Sequence, residues 1–316
     1  MKSFFPRCVA VTAALCLGAL PVGALVPGDV IYLADVNTGA IKQFNSAGQG
    51  SAFANVGAVN PVGLAVDAAG NLFVANRSGG VSGTIDRISP AGVRTRFSSD
   101  MSFPSKLAFD PNGTLYAGMV GNNTIERFNA AGQGAVFASA GVDGPIPLAF
   151  DHAGNLYVGN TFAGQIMKFD AAGQPTFFAA SGQYPYGLAF DNADNLFVAN
   201  FGDNSIVKID PAGHTSLFAD LSDGINAPVD LAFDSAGNLF VLNLGDNTIE
   251  KFDSAGNGSL FAHTGMDHPE SLAIRLVPEP TASVLLLLGG GLALRCRRGP
   301  QRSGVGAPAK HGNFDC

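Results

Sequence analysis

The chain has 316 residues, a formal net charge of −7, 41 Gly, 24 Phe, no Trp and 4 Cys. Since 47% of the residues are apolar and only 14% are charged, the chain can build a large core, which excludes an intrinsically disordered protein. The acidic balance argues against nucleic acid as a partner. All four cysteines lie near the ends, at positions 8, 16, 296 and 316, so disulfides cannot hold the middle of the chain together.

Residues 1–24 are predicted to be a secretory signal peptide. Lys2 and Arg7 give a positively charged start, residues 8–20 form a short apolar run, and small residues at 22–24 precede a predicted cleavage before Leu25. A run of this length forms a short apolar helix but does not span a membrane comfortably. We therefore expect export of the chain and removal of this segment.

The middle of the chain repeats one motif, seen as LAFDHAGNLYVGN from Leu148 and LAFDSAGNLFVLN from Leu231. Its aspartates recur at intervals of 40 to 43 residues: Asp67, Asp110, Asp151, Asp191 and Asp234. Each unit divides into four short strands rich in aromatic and β-branched residues, separated by Asp, Asn and Gly turns. The repeated aspartate is interpreted as turn chemistry, because its carboxylate accepts local N–H bonds while Gly takes a positive φ. A period of this size predicts the blades of a β-propeller.

The first and last units are incomplete in complementary ways. Residues 30–54 supply the last three strands of a blade, and residues 272–275 supply only a first strand. Residues 25–276 then hold about 42 residues per blade if there are six blades. The sequence therefore predicts an all-β fold, a six-bladed β-propeller of four-stranded blades over residues 25–276, closed by a composite blade from both ends.

The repeated LAFD-xAGN-LFVAN pattern resembles the NHL-repeat propellers, within the wider group of gluconolactonase-like and streptogramin-lyase-like propellers. The resemblance covers about 250 residues, from the first to the last unit. It implies the fold, and it does not select one activity, because this scaffold serves many functions.

Ligands of such folds are expected at one end of the central channel. We call the face that holds the segment before each Leu-Ala the top, and the face that holds the xAG turns the bottom. The two residues before each Leu-Ala are predicted to ring the channel mouth at the top. The candidate ligand-binding residues there are Lys106, Tyr186, Asp230, His268 and Glu270.

Three of these mouth residues, Asp230, Glu270 and His268, are candidate metal ligands. Carboxylates and imidazole are suitable ligands for a divalent cation, and the resemblance implies a metal at the mouth in gluconolactonase-like relatives. Solvated loop charge is the alternative interpretation. No catalytic residue is assigned, and the cofactor stays unknown with a divalent cation left open.

Residues 277–298 resemble the PEP-CTERM sorting tag of Gram-negative bacteria. The signal comprises Val277, Pro278, Glu279 and Pro280, an apolar run over 282–294, and then Arg295, Arg297 and Arg298. The resemblance implies an exosortase-type sorting enzyme as a partner. It also implies a membrane anchor through a short C-terminal helix, followed by location at the cell surface or outside the cell. An ordinary single-pass anchor is the alternative, and residues 299–316 are predicted to be a disordered tail.

Two functional hypotheses follow from these features. The first is an exported binding or structural module for extracellular matrix, polysaccharide or surface proteins. The second is a metal-dependent hydrolase or lyase of the gluconolactonase or streptogramin-lyase type, with its site at the mouth.

Overall fold

The computed structural model describes residues 28–57, 60–77, 82–263 and 265–276. The predicted signal peptide (1–24), sorting tag (277–298) and tail (299–316), with both terminal helices, lie outside the described residues. The described chain forms 24 strands in six antiparallel four-stranded sheets. Its one helical element is a 3₁₀ turn, Leu221–Asp223, and within these residues no helix has the length and apolarity needed to cross a membrane. The prediction of a six-bladed propeller is confirmed.

The six blades follow one another along the chain, and each runs from an inner to an outer strand. Blade 1 contains β1 (Val30–Asp35), β2 (Ala40–Phe44), β3 (Gly50–Asn55) and, as its inner strand, β24 (Pro269–Arg275). Blade 2 contains β4 (Pro61–Val66), β5 (Leu72–Asn76), β6 (Gly83–Ile88) and β7 (Arg94–Met101). Blade 3 contains β8 (Pro104–Phe109), β9 (Leu115–Met119), β10 (Thr124–Phe128) and β11 (Gly134–Ala138). Blade 4 contains β12 (Pro145–Phe150), β13 (Leu156–Asn160), β14 (Gln165–Phe169) and β15 (Pro175–Ala180). Blade 5 contains β16 (Pro185–Phe190), β17 (Leu196–Asn200), β18 (Ser205–Ile209) and β19 (Thr215–Ala219). Blade 6 contains β20 (Pro228–Phe233), β21 (Leu239–Asn243), β22 (Thr248–Phe252) and β23 (Gly258–Ala262).

Blade 1 closes the ring as a composite of both ends of the described chain. Its inner strand β24 pairs antiparallel with β1, from Val30 opposite Arg275 to Leu33 opposite Leu272. The strand starts at Pro269, three residues before the predicted first strand. The predicted composite blade is confirmed, and the pairing covers the edge that β1 would otherwise expose at the joint.

The bottom turns between the first and second strands are built by the repeated aspartate. In blade 2 the Asp67 carboxylate accepts bonds from the N–H groups of Ala69 (2.9 Å) and Asn71 (2.8 Å) and from the Asn71 side chain (2.8 Å). Gly70 adopts a φ of 80° in this turn, a conformation that Gly takes without steric cost. The two bonds from the Asn four residues further on recur at Asp151, Asp191 and Asp234, which confirms the turn interpretation.

The core lies between the blades as a series of aromatic sandwiches. In blade 4 the Tyr157 ring packs edge-on between Phe178 of its own blade and Phe190 of blade 5, with both centroid distances 4.9 Å. The Lys168 ammonium lies over the same ring, 5.1 Å from its centroid. Edge-to-face aromatic contacts add to the stabilisation from burial. The blades are thereby fixed against one another, and the top loops are held on a rigid base.

Asparagines at the ends of the second strands brace the top connections. Asn200 donates to the Ser181 carbonyl (2.9 Å) and Asn243 donates to the Gly224 carbonyl (2.8 Å). Both side chains are fully buried. These asparagines therefore support the loops that carry the mouth residues.

Candidate functional site

A β-bulge occurs in the inner strand of every blade at the predicted mouth ring. In blade 3, Pro104 pairs with Met119 while Leu107 pairs with Ala117, so one extra residue is accommodated before the Leu. Equivalent shifts occur in the other five blades. Bulges redirect side chains and bend the strand. This local irregularity explains why the residues before each Leu-Ala form a separate ring from the regular strands that follow.

The central feature of the mouth is an ion pair between opposite blades. Lys106 Nζ of blade 3 lies 2.8 Å from Asp230 Oδ2 of blade 6, and only 6% and 8% of these residues is exposed. Lys106 also donates to the backbone carbonyl of Glu270 in blade 1. Blades 3 and 6 face each other across a six-bladed ring, so this pair crosses the channel.

Asp230 is further bonded to the composite blade. Its Oδ2 atom accepts from the Ser271 hydroxyl (2.7 Å) and from the Leu272 N–H (3.0 Å), and its Oδ1 atom accepts from the Leu231 N–H (3.0 Å). Buried charges are tolerated when they are paired and hydrogen-bonded in this way. The carboxylate is therefore fully engaged within the fold.

This arrangement does not fit a divalent cation held by Asp230, Glu270 and His268. The Lys106 ammonium would repel a cation at Asp230, and both carboxylate oxygens already accept protein hydrogen bonds. Across the described ranges, no group of three or more His, Cys, Asp or Glu side chains is positioned to hold a metal ion. The metal assignment stays a prediction.

Glu270 faces a second pair of polar groups, Arg77 and Tyr186. Burial lowers the pKa of Arg77, and the charges of Glu270 and Tyr186 oppose that effect. Burial also raises the pKa of Tyr186, as does the charge of Glu270, while Arg77 lowers it. Arg77 Nε donates to the Pro104 carbonyl at 3.0 Å. The guanidinium is thus held beside the mouth, near enough to Glu270 for their opposite charges to interact.

His268 lies at the outer side of the mouth. Its Nε2 atom is 3.7 Å from Glu270 Oε1, and 47% of its side chain is exposed. The neighbouring Asp267 accepts a bond from Asn37 Nδ2 at 3.0 Å. The structure therefore brings His268 and Glu270 together, while Asp230 lies deeper and pairs with Lys106.

Two residues of the mouth were not among the sequence candidates. Ser271 occupies a predicted ring position, but the sequence does not indicate that its hydroxyl bonds to Asp230. Arg77 follows β5, outside the predicted ring. A signal was available, because Arg77 is a cation at the top end of a second strand where other blades carry apolar or small residues.

The fold and the mouth together define a six-bladed β-propeller whose candidate site lies at the top of its central channel. The chain belongs to the Virginiamycin B lyase family, whose family model matches residues 19–264. A comparison with curated proteins finds no match. The streptogramin-lyase-like part of the resemblance is thereby confirmed, while the NHL-repeat and PEP-CTERM assignments stay predictions.

Solved structures of low sequence identity share the fold. A chain of a nidogen–laminin complex is 22% identical with a TM-score of 0.69, covering 78% of this chain and 98% of that one. A catalytically inactive histidine-to-alanine variant of virginiamycin B lyase from Staphylococcus aureus with quinupristin is 17% identical with a TM-score of 0.58, covering 74% and 81%. A streptogramin B lyase structure is 16% identical with a TM-score of 0.58, covering 74% and 79%. These likenesses show the fold alone.

Proposed function

We propose that the protein is an extracellular binding module whose ligand site is the top mouth of the propeller and whose ligand is a polysaccharide. The observation that carries the proposal is the buried Lys106–Asp230 pair. In this pair the Asp230 carboxylate, which lies deeper in the mouth than Glu270, has a structural role. It is therefore not available as a free base or as a metal ligand.

The groups around this pair support a hydroxyl-rich ligand without charge. The negative charge of Glu270 lies near the positive charge of Arg77, and both act on Tyr186. Tyr186 contributes a hydroxyl and a ring stacked on Phe201 at 5.2 Å. Such a surface offers donors and acceptors with little net charge, which suits repeated sugar hydroxyls.

The proposed location rests on the terminal segments of the sequence. The signal-peptide pattern of 1–24 and the sorting-tag pattern of 277–298 support export, exosortase processing and location at the surface of a Gram-negative cell. The 11 Lys and Arg against 24 Asp and Glu over residues 25–280 support a partner other than nucleic acid. Matrix polysaccharide and other surface proteins are the partners available in that location.

Native affinity electrophoresis of the full chain tests the binding proposal. Gels contain dextran, hydroxyethylcellulose, galactomannan or anionic alginate, and we expect retardation by at least one neutral polymer. Glu270→Gln is expected to raise the apparent Kd about tenfold, because a hydrogen-bonding charge at the mouth is lost. Glu126→Gln, on β10 away from the mouth ring, is the matched control and should bind as the wild type does. A wild-type chain that no neutral polymer retards would refute the proposal.

The second candidate is a lyase, and family membership together with the His268–Glu270 contact favours it. A histidine oriented by a carboxylate is a suitable general base, and these two side chains are 3.7 Å apart. Chromatographic turnover of quinupristin by the wild type, lost in His268→Ala, would establish this activity. Calorimetric titration with Ca²⁺, Mg²⁺, Mn²⁺ and Zn²⁺ separately tests metal dependence, and absence of heat for all four would exclude it.

A further inference from the structure

The connections that enter the inner strands share one backbone conformation in all six blades. The residue before the strand's first Pro is left-handed, with φ between 49° and 59°, at Asn60, Phe103, Gly144, Tyr184, Ala227 and His268. Its carbonyl accepts a bond from the N–H of the residue after the second strand, as in Val120 to Phe103 (3.0 Å) and Phe201 to Tyr184 (3.0 Å). The backbone is therefore a constant frame, whereas the side chain it presents differs in every blade.

Two of these left-handed positions carry large aromatic residues. Gly and Asn adopt this conformation readily, but a bulky residue there is an outlier that strains the backbone. Phe103 and Tyr184 are nevertheless 41% and 46% exposed, so burial of the rings offsets only part of that strain. A turn alone does not require these rings, and outliers of this kind concentrate at functional sites.

Each exposed ring lies against a glycine of the neighbouring top loop. A Cβ added to Gly121 would be 2.9 Å from the Phe103 ring, and one added to Gly202 would be 2.7 Å from the Tyr184 ring. A Cβ at either glycine would force the ring to move. Each ring is thereby in contact with a glycine while a large part of its surface stays exposed.

Blade 4 reaches the same arrangement with the two partners exchanged. Here the left-handed position is Gly144, and the ring is Phe162 from the loop after β13, 66% exposed. A Cβ on Gly144 would be 2.5 Å from that ring. Three consecutive blades therefore present an exposed ring on a glycine at equivalent places, regardless of which segment supplies the ring. We call Phe103, Phe162 and Tyr184 the aromatic rim.

The equivalent places in the other blades are polar or small. In blade 6 the left-handed residue is Ala227, and Gly245 lies against the amide of the preceding Asn226, where a Cβ would be 2.3 Å from the Oδ1 atom. Blade 1 presents His268 and blade 2 presents Asn60. The top face thus combines apolar rings over blades 3 to 5 with hydrogen-bonding groups over blades 6, 1 and 2. A pyranose sugar has the same combination, with apolar C–H faces and hydroxyls at its edge.

We propose that the aromatic rim binds the apolar faces of neutral sugar rings, so that the ligand is an uncharged polysaccharide chain lying across blades 3 to 5. The inference rests on the proposed function and adds the ligand class and the residues that select it. The charge of the domain supports a neutral chain, since a polyanion would be repelled by 24 acidic against 11 basic residues over 25–280.

The test uses the full chain with Phe103→Ala, Phe162→Ala and Tyr184→Ala, singly and combined, in gels with dextran, hydroxyethylcellulose, galactomannan or alginate. Each single change is expected to raise the apparent Kd for the retarding neutral polymer about three- to tenfold, as loss of one ring contact predicts. Phe177→Ala is the matched control, because Phe177 is 60% exposed on the outer strand β15 and should bind as the wild type does. Retardation by alginate alone would overturn the proposal.

A second pair of variants separates recognition from a structural role. Phe103→Gly and Tyr184→Gly relieve the left-handed strain, so we expect the Tm to be unchanged or higher while binding is weakened. A lower Tm with unchanged retardation would show that the rings only stabilise the loops and would overturn the inference. Rim-dependent self-association in sedimentation, without rim-dependent retardation, would assign the surface to a second copy and overturn it as well.

Failure of this inference is distinguishable from failure of the proposed function. If the wild type is retarded and Glu270→Gln weakens binding while the rim variants do not, only the aromatic rim is refuted. If no neutral polymer retards the wild type, both proposals fall.

Discussion

The two faces of the propeller use a regular backbone in opposite ways. On the bottom, the turns repeat both the backbone and the side chains, as the Asp and Asn pairs at Asp151 and Asp191 show. On the top, the left-handed frame is kept in all six blades, but its side chains range from Gly144 to Tyr184. The residues that repeat on the bottom face are those that every blade needs in order to fold. Variation on a constant frame therefore marks the top as the face where this protein is specialised.

The largest expected effect comes from breaking the top-face ion pair. Lys106→Met should lower the free energy of unfolding by about 3–5 kcal/mol, because it leaves the buried Asp230 carboxylate without its counter-charge. The bottom-face comparison is Lys208→Met, whose partner Asp191 is 3.7 Å away and partly exposed, with an expected loss of about 1 kcal/mol or less. Urea denaturation measures both. Equal losses would show that the channel pair has no special structural role.

An intermediate effect is expected from the bottom turns. Asp191→Ala removes bonds to the N–H groups of Ala193 and Asn195 and to the Asn195 side chain, and should cost about 1–2 kcal/mol in urea denaturation. Asp110→Ala is the matched control. Its turn carries Thr114 where the others have Asn, so the carboxylate accepts only two backbone bonds. We expect a smaller loss there, and the reverse order would contradict the proposed turn energetics.

A gradual effect, spread over several pH units, is expected near the top of blade 6. Burial, reinforced by the charge of Asp246, raises the pKa of Glu250 to about 7. The folded state therefore holds a proton that the unfolded chain has already released, and stability falls as the pH rises from about 4.5 to about 7. Glu250→Gln should remove this slope, which is at most about 1.4 kcal/mol per pH unit.

Asp246→Asn sharpens the same measurement. It removes the neighbouring charge while keeping Glu250 buried, so the slope should move to lower pH without disappearing. Thermal melts at pH 5 and pH 8 follow both variants. A slope that persists unchanged in Glu250→Gln would assign the titration to another group.

The fold could be predicted from the sequence because each blade repeats the same turn and strand residues. The Asp67-type turn and the LFVAN-type strand fix the strand order, and five copies fix the period. The mouth was also accessible, since counting blades places Lys106 opposite Asp230. What this counting could not give is the bonding of Asp230 to Ser271, because hydrogen bonds between separate blades depend on side-chain rotamers.

The aromatic rim was hidden for a different reason. Phe103 and Tyr184 lie in connections before Pro, whereas Phe162 lies in a loop after a second strand. The same position on the top face is thus occupied by residues from two different positions of the repeat. Aligning the repeats in the sequence therefore does not reveal the aromatic rim. The sequence feature that marks this exchange is the glycine opposite each ring. Because glycine is common in the turns of this chain, that feature does not stand out.

The composite blade also fixes how the molecule can be presented to its surroundings. Val30 and Arg275 pair at the bottom end of β1 and β24, and nearby Asp29 bonds to Ser235 in the bottom turn of blade 6. The chain therefore enters and leaves the ring side by side on the bottom. A tether joined through either exit point pulls on the face opposite the mouth. Because the inner strand β24 is held by hydrogen bonds to β1 along its length, a load applied at Val30 or Arg275 is borne by a closed blade and not by a free strand end.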